Sequence, residues 1–163
     1  MIPRNFLLAA ICLSAAVYSG EASAQSSKER IYSFEDQQIR IEAELQPVTK
    51  AGLVFSATLT PKTGWKVLAG NSSGIKPLKA VFKPGKCLKT RGATRFTEPD
   101  WSGTDDSGAY SEYYTKSAGL SQEFSKVNCK GGYEAAATVT YLLCQDNKCV
   151  GPLHKEIPFK VPK

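Results

Sequence analysis

The chain has 163 residues, 42% hydrophobic and 22% charged, with 21 Lys and Arg against 15 Asp and Glu and a net charge of +6. That is enough chain for one domain with a real core. The only methionine is Met1, which excludes a thioether copper site. No repeat, low-complexity segment or interdomain linker is visible.

Residues 1–24 read as an export signal. Arg4 precedes an apolar run over residues 6–17, and Ala22-Ser23-Ala24 forms a small-residue cleavage site. The run is too short to span a bilayer, and no later segment approaches eighteen apolar residues. Cleavage after Ala24 removes Cys12 and one charge of each sign (Arg4, Glu21). It leaves residues 25–163 as one domain beginning at Gln25, with no cysteine there to take a lipid. The expected product is periplasmic or secreted, with no stable membrane insertion.

Beyond the signal, alternation of period two dominates. Ile39, Ile41, Ala43 and Leu45 alternate with Arg40, Glu42 and Glu44. Leu53, Phe55, Ala57 and Leu59 share one parity, as do Leu78, Ala80 and Phe82. After Gly131-Gly132 the parity of Tyr133, Ala135, Ala137, Val139, Tyr141 and Leu143 holds across eleven residues. Ile157, Phe159 and Val161 close the series, with Pro158 and Pro162 best placed on an edge strand. No long run has a period of 3.6. Short strands punctuated by Gly, Pro, Asn and Asp predict an all-β fold, an immunoglobulin-like antiparallel sandwich.

Two segments interrupt the alternation. Residues 70–74 (GNSSG) form a turn-rich connection, and residues 98–114 (EPDWSGTDDSGAYSEYY) read as a long acidic and aromatic loop ending in a strand. Loops of that length in compact domains usually serve function. Lys76, Lys79, Lys83, Lys86, Lys89 and Arg91 make a basic stretch. In an exported domain it is read as a solvated face or a contact for an acidic protein, and nucleic acid is not an expected partner.

The chemistry concentrates in residues 137–159 (ATVTYLLCQDNKCVGPLHKEIPF). Two alternating runs joined by four polar residues predict a hairpin, with Cys144 and Cys149 facing each other at its tip. Paired strand residues lie about 4.5–5.5 Å apart at Cα, within the span of a disulfide. A ring of about six residues adds about 2 kcal/mol of stability, against about 4 for a ring of about forty. A clip at the tip of a laddered hairpin is therefore better explained by redox use than by stapling. If Val139, Tyr141 and Leu143 face the core, Cys144 should point outward, within reach of a partner's sulfur.

Four cysteines follow the signal, an even number in an oxidising compartment. Pairing Cys144 with Cys149 leaves Cys87 and Cys129 as a structural disulfide by elimination. The spacing fits no common zinc pattern, and no metal or other cofactor is expected. His154, the only histidine, reads as a solvated residue on the outer parity. Tyr141 reads as a core aromatic, with packing beside the cysteines as its alternative. Lys148 would favour a Cys149 thiolate and Asp146 would oppose it. No Ser-His-Asp set or phosphate-cradling loop is present. Besides a thiol:disulfide oxidoreductase, two other classes fit: an immunoglobulin-like adaptor with two structural disulfides, and a domain dedicated to reducing one client.

The segment VTYLLCQDNKCVGP resembles the redox hairpin of the amino-terminal periplasmic domain of DsbD-type thiol:disulfide interchange proteins. Gly64-Trp65, Ser73-Gly74-Ile75-Lys76-Pro77, Glu98-Pro99, Asp105-Asp106 and Ser111-Glu112-Tyr113-Tyr114 are similar to further family segments, in the same order. The resemblance implies an immunoglobulin-like domain passing electrons through Cys144 and Cys149, with Cys149 the attacking thiol. Its donor would be a thioredoxin-like or membrane electron-transfer protein, and its client a periplasmic thiol protein. It also implies a shielding cap loop at Asp105-Asp106-Ser107. The cap's aromatic position holds Ser107, so Tyr110 shields in its stead or the pair stands more open. Lys163 follows the last strand directly, so a stand-alone monomer is expected.

Overall fold

A computed structural model describes residues 27–71, 73–74, 76–104, 108–128, 133–146 and 148–161. The expected signal, residues 1–24, lies outside these. The alternation becomes strands where it was read. Ile39, Ile41, Ala43 and Leu45 line the buried face of β2 (Ile39–Thr49). Leu53, Phe55, Ala57 and Leu59 do the same in β3 (Gly52–Pro61). The two strands pair antiparallel, with β1 (Glu29–Glu35) along the outer side of β2. On the far side of β3 come β9 (Ala118–Lys126) and the edge strand β6 (Leu88–Phe96), completing a five-stranded sheet.

The second sheet has six strands in the order β11-β10-β4-β8-β7, with β5 also paired to β10. Its axis is β10 (Tyr133–Gln145). One side of β10 carries β11 (Lys148–Val161); the other carries β5 (Lys79–Lys83) at Ala136–Thr140 and β4 (Lys66–Asn71) at Leu143 and Cys144. Beyond β4 lie β8 (Tyr110–Tyr114) and β7 (Trp101–Thr104). Within residues 98–114, Trp101–Thr104 and Tyr110–Tyr114 thus form two paired strands, where a long loop ending in one strand was expected. Pro158 sits on β11, the edge of its sheet, where a missing donor breaks no ladder.

The sheets pack face to face as an immunoglobulin-like antiparallel sandwich. Four phenylalanines join them: Phe55 of β3 and Phe124 of β9 meet Phe82 of β5 and Phe159 of β11, with ring centroids 5.2–6.1 Å apart. Two of these contacts are edge-on, the arrangement the ring quadrupoles favour. Lys79, Lys83, Lys86, Lys89 and Arg91 are exposed, but Lys79 and Lys83 lie in one sheet, Lys89 and Arg91 in the other, and Lys86 in the turn between them. Among the described residues no helix is long and apolar enough to cross a membrane.

Candidate functional site

β10 and β11 form the hairpin that the alternation predicts, turning at Asp146 with a positive φ of 50°. Cys144 and Cys149 face each other at its tip and are disulfide-bonded, with Cα atoms 4.0 Å apart. Lower down, the register slips: Tyr141 pairs Leu153 while Leu143 pairs Val150, so Leu142 faces both Gly151 and Pro152 in a β-bulge. Gly151 has a φ of 126° there, and a Cβ on it would lie 2.8 Å from the Leu142 side chain. Only glycine fits that bend without strain.

The two sulfurs stand in different surroundings. Cys149 is exposed, beside the exposed Lys148 and Val150. Cys144, expected to be reachable, has 0% of its surface exposed. Parity was read correctly, since Val139, Tyr141 and Leu143 are all buried in the core. Cys144 is buried all the same because the outer face of the sheet is itself covered at this point. Cys144 pairs with Lys66 of β4, directly after Leu143 pairs with Val67. Leu143 and Val67 both point into the core, so Cys144 and Lys66 project from the opposite face. Leu68, opposite Tyr113, is only 6% exposed yet stands outside the main core cluster, as Cys144 does.

Trp101 and Tyr113 complete this outer face. They pair across β7 and β8 with ring centroids 5.3 Å apart. The Trp101 ring lies over Gly103, where a Cβ would meet it at 2.8 Å. The Lys66 ammonium stands 3.9 Å from the Tyr113 ring centre and 5.4 Å from that of Trp101. Asp100 anchors the start of β7 by accepting bonds from the Thr115 amide (2.7 Å), the Thr115 hydroxyl (2.8 Å) and the Lys116 amide (2.9 Å). Partial burial raises the Asp100 pKa, but these bonds outweigh it and hold the carboxyl below its usual range. Lys66 and Leu68 lay outside the sequence reading. The signal that could have found them is the pairing of an aromatic strand with a second parity of apolar residues.

Other expected residues are placed less closely. Tyr110 is 43% exposed, donates to Glu112 at 3.2 Å, and by alternation faces away from Tyr113. Asp105, Asp106 and Ser107 lie outside the described residues. Cys87 is buried and disulfide-bonded, while Cys129 lies outside the described residues. His154 is exposed, 2.9 Å from the Thr140 hydroxyl, and pairs with Thr140 rather than approaching Cys149. Tyr141 is a core residue whose hydroxyl is pushed up to about 12, chiefly by burial and then by Asp36 and Tyr32. Gly64, whose φ is 84°, lies against the Gln145 side chain and brings the Gly64-Trp65 turn beside the tip.

No family model matches the sequence, and no curated protein matches it. Among solved structures, the N-terminal periplasmic domain of ScsB from Proteus mirabilis is similar with a TM-score of 0.57 and 12% identity. That match covers 81% of this chain and 51% of the other, so this chain spans about half the length of that one. The N-terminal domain of DsbD from Neisseria meningitidis in the reduced form has a TM-score of 0.48 and 16% identity, covering 77% of this chain and 86% of that one. The GAE domain of GGA2p from Saccharomyces cerevisiae has a TM-score of 0.45 and 7% identity, over 84% and 98% of the chains. The ScsB comparison shows a shared fold, in keeping with the DsbD-type sandwich expected from the sequence.

Proposed function

We propose that the protein is a periplasmic thiol:disulfide exchange domain working through Cys144 and Cys149. The observation that carries this reading is the asymmetry of a bonded pair at a hairpin tip. One sulfur is open to a partner, and the other is enclosed behind it. A reducing thiolate attacks Cys149 Sγ, forms a mixed disulfide with it, and breaks the bond to Cys144, whose sulfur leaves with the electron pair. The partner's second thiolate then closes the partner's own disulfide and expels Cys149. The domain holds two electrons, which Cys149 passes to a client disulfide by the reverse sequence while Cys144 resolves the intermediate.

The donor would be a thioredoxin-like or membrane electron-transfer protein and the client a periplasmic thiol protein. The periplasmic location of the ScsB domain supports that compartment. Cys87 and Cys129 are assigned as the structural disulfide, and Asp105, Asp106 and Tyr110 as the cap segment. Residues 1–24 are assigned as the signal and residues 25–163 as the exchange domain.

The test is thiol trapping. Cys144→Ser leaves Cys149 without a resolving thiol and should accumulate mixed disulfides with disulfide-containing partners, including an oxidised thioredoxin-like protein. Cys149→Ser should accumulate none. Equal, negligible trapping by both variants, with a wild-type bridge that resists thioredoxin-like reductants, would return the domain to an adaptor with two structural bonds.

A further inference from the structure

Reduction creates an electrostatic demand at one atom. When a nucleophile takes Cys149, the electron pair of the broken bond goes to Cys144, a sulfur with no exposed surface. Burial disfavours a thiolate, raises its pKa and makes it a poorer leaving group. Unless a positive charge stands nearby, the fold opposes the step that the bridge is placed to perform.

The neighbouring strand carries such a charge. Lys66 is the residue directly across the ladder from Cys144 and projects from the same face. Its ammonium is held over the Tyr113 and Trp101 rings, 3.9 and 5.4 Å from their centres. The ring faces attract the cation and lower the local dielectric, which lengthens the reach of its field. Among the described residues, the other titratable or charged groups on the facing positions and at the tip are Tyr113 of β8, Lys148 of β11 and Asp146 in the turn. Asp146 and Lys148 are exposed at the tip, on the solvent side with Cys149. They oppose each other and are screened by water.

We propose that Lys66 is the electrostatic partner of Cys144, stabilising its thiolate as leaving group and as product and setting how readily the bridge is reduced. The inference rests on the exchange reading above and assigns a residue to it. Tyr113 and Trp101 act as positioning residues for the ammonium. The step balances with any dithiol as reductant. Its first sulfur bonds Cys149, the Cys144–Cys149 bond breaks, and the pair of electrons settles on Cys144 beside Lys66. The second sulfur of the dithiol then releases Cys149, and the dithiol ends as a disulfide.

The experiment uses the full mature chain with dithiothreitol as probe. The reduction equilibrium, the rate of bridge opening and the pH profile of Cys144 alkylation (read in Cys149→Ser) are measured in wild type, Lys66→Met, Lys66→Gln and Lys66→Arg. Met and Gln keep much of the stem and lose the charge; Arg keeps the charge. Met and Gln should each shift the equilibrium toward the disulfide about tenfold, equivalent to about 30 mV. They should also slow opening and move the alkylation profile to higher pH, while Arg stays within about twofold of wild type. A wild-type bridge that exchanges normally, with folded Met or Gln variants matching it in equilibrium and pH profile, overturns the role of Lys66 alone. A wild-type bridge that does not exchange overturns the function on which it rests. Equal losses in Met, Gln and Arg would mark Lys66 as a packing residue and overturn the proposal too.

Discussion

Opening the Cys144–Cys149 bridge should leave the sandwich standing. The bonded residues have a sequence separation of 5, and a ring that small restrains the unfolded chain by about 2 kcal/mol. Folded domains have about 5–15 kcal/mol in all, so the bridge carries a minor share. The strands it joins are held independently. Their ladder runs from Tyr133–Val161 to Gln145–Lys148, and β10 is bonded on its other side to β5 and β4. Cys149→Ser is the cleanest perturbation, because its site is exposed and Cys144 keeps its own volume. Urea unfolding of the variant should show a loss of about 2 kcal/mol, with melting lowered by roughly 6–10 °C and an unchanged far-ultraviolet spectrum. A loss above about 5 kcal/mol, or a transition that is no longer cooperative, would refute the reasoning. The fold would then depend on the bond, and a couple whose scaffold collapses on opening cannot cycle.

Three further outcomes follow from the same geometry. Gly151→Ala places a Cβ 2.9 Å from the Leu153 nitrogen and 3.1 Å from the Tyr141 oxygen at a φ of 126°, whereas Gly92 has a φ of 66° with nothing within 4 Å. Urea unfolding should show about 2–4 kcal/mol lost at Gly151 and about 1 at Gly92; equal losses would contradict the bulge geometry. Tyr141, pushed up to about 12 from 10.0, is protonated in the fold where an unfolded chain would ionise. Its contribution to stability is therefore full below pH 10 and disappears toward pH 12. Absorbance titration should show late-ionising tyrosine, of which Tyr141→Phe removes the part that titrates last and leaves that of Tyr114, which burial also raises. Asp100, held below its usual 3.8, contributes stability above that value and loses it as the pH falls through its lower folded one. Asp100→Asn should flatten the acid limb of the stability curve, and an unchanged limb would show that the three bonds are not made in solution.

Strands that bury one face and wet the other were legible, because their side chains carry the period of the pleat. β2, β3 and β10 are of this kind. β6 was not, since almost all of Leu88–Phe96 is exposed at the edge of its sheet and nothing enforces a pattern. In β9 the series Ala118, Leu120, Phe124 is broken by Gln122, which is polar yet only 3% exposed. Gln122 is satisfied by donating to Arg91 and Glu123 carbonyls and accepting from Thr94. β4 hides its parity in another way, burying both Val67 and Leu68 because both of its faces are covered. The same second cover misled the reading of Cys144. Two-state alternation distinguishes inside from outside, but it says nothing about whether the outside is roofed. The cysteine pair itself was legible because a hairpin makes neighbours of residues flanking its turn.

The turn sets the two sulfurs opposite each other in a register that the lower strands do not share. Were the ladder continued without interruption from Tyr141–Leu153, Cys144 would face Val150 and Cys149 would lie beside Gln145. The surplus residue at Gly151-Pro152 absorbs that one-position difference between the first part of β11, Lys148 to Val150, and the rest of the strand. A graft of the Cys-x4-Cys tip onto a hairpin of regular register should keep the two sulfurs opposite each other. Deleting Pro152 removes the surplus residue, and the ladder should then run unbroken from Tyr141–Leu153 to the tip with Cys144 still facing Cys149.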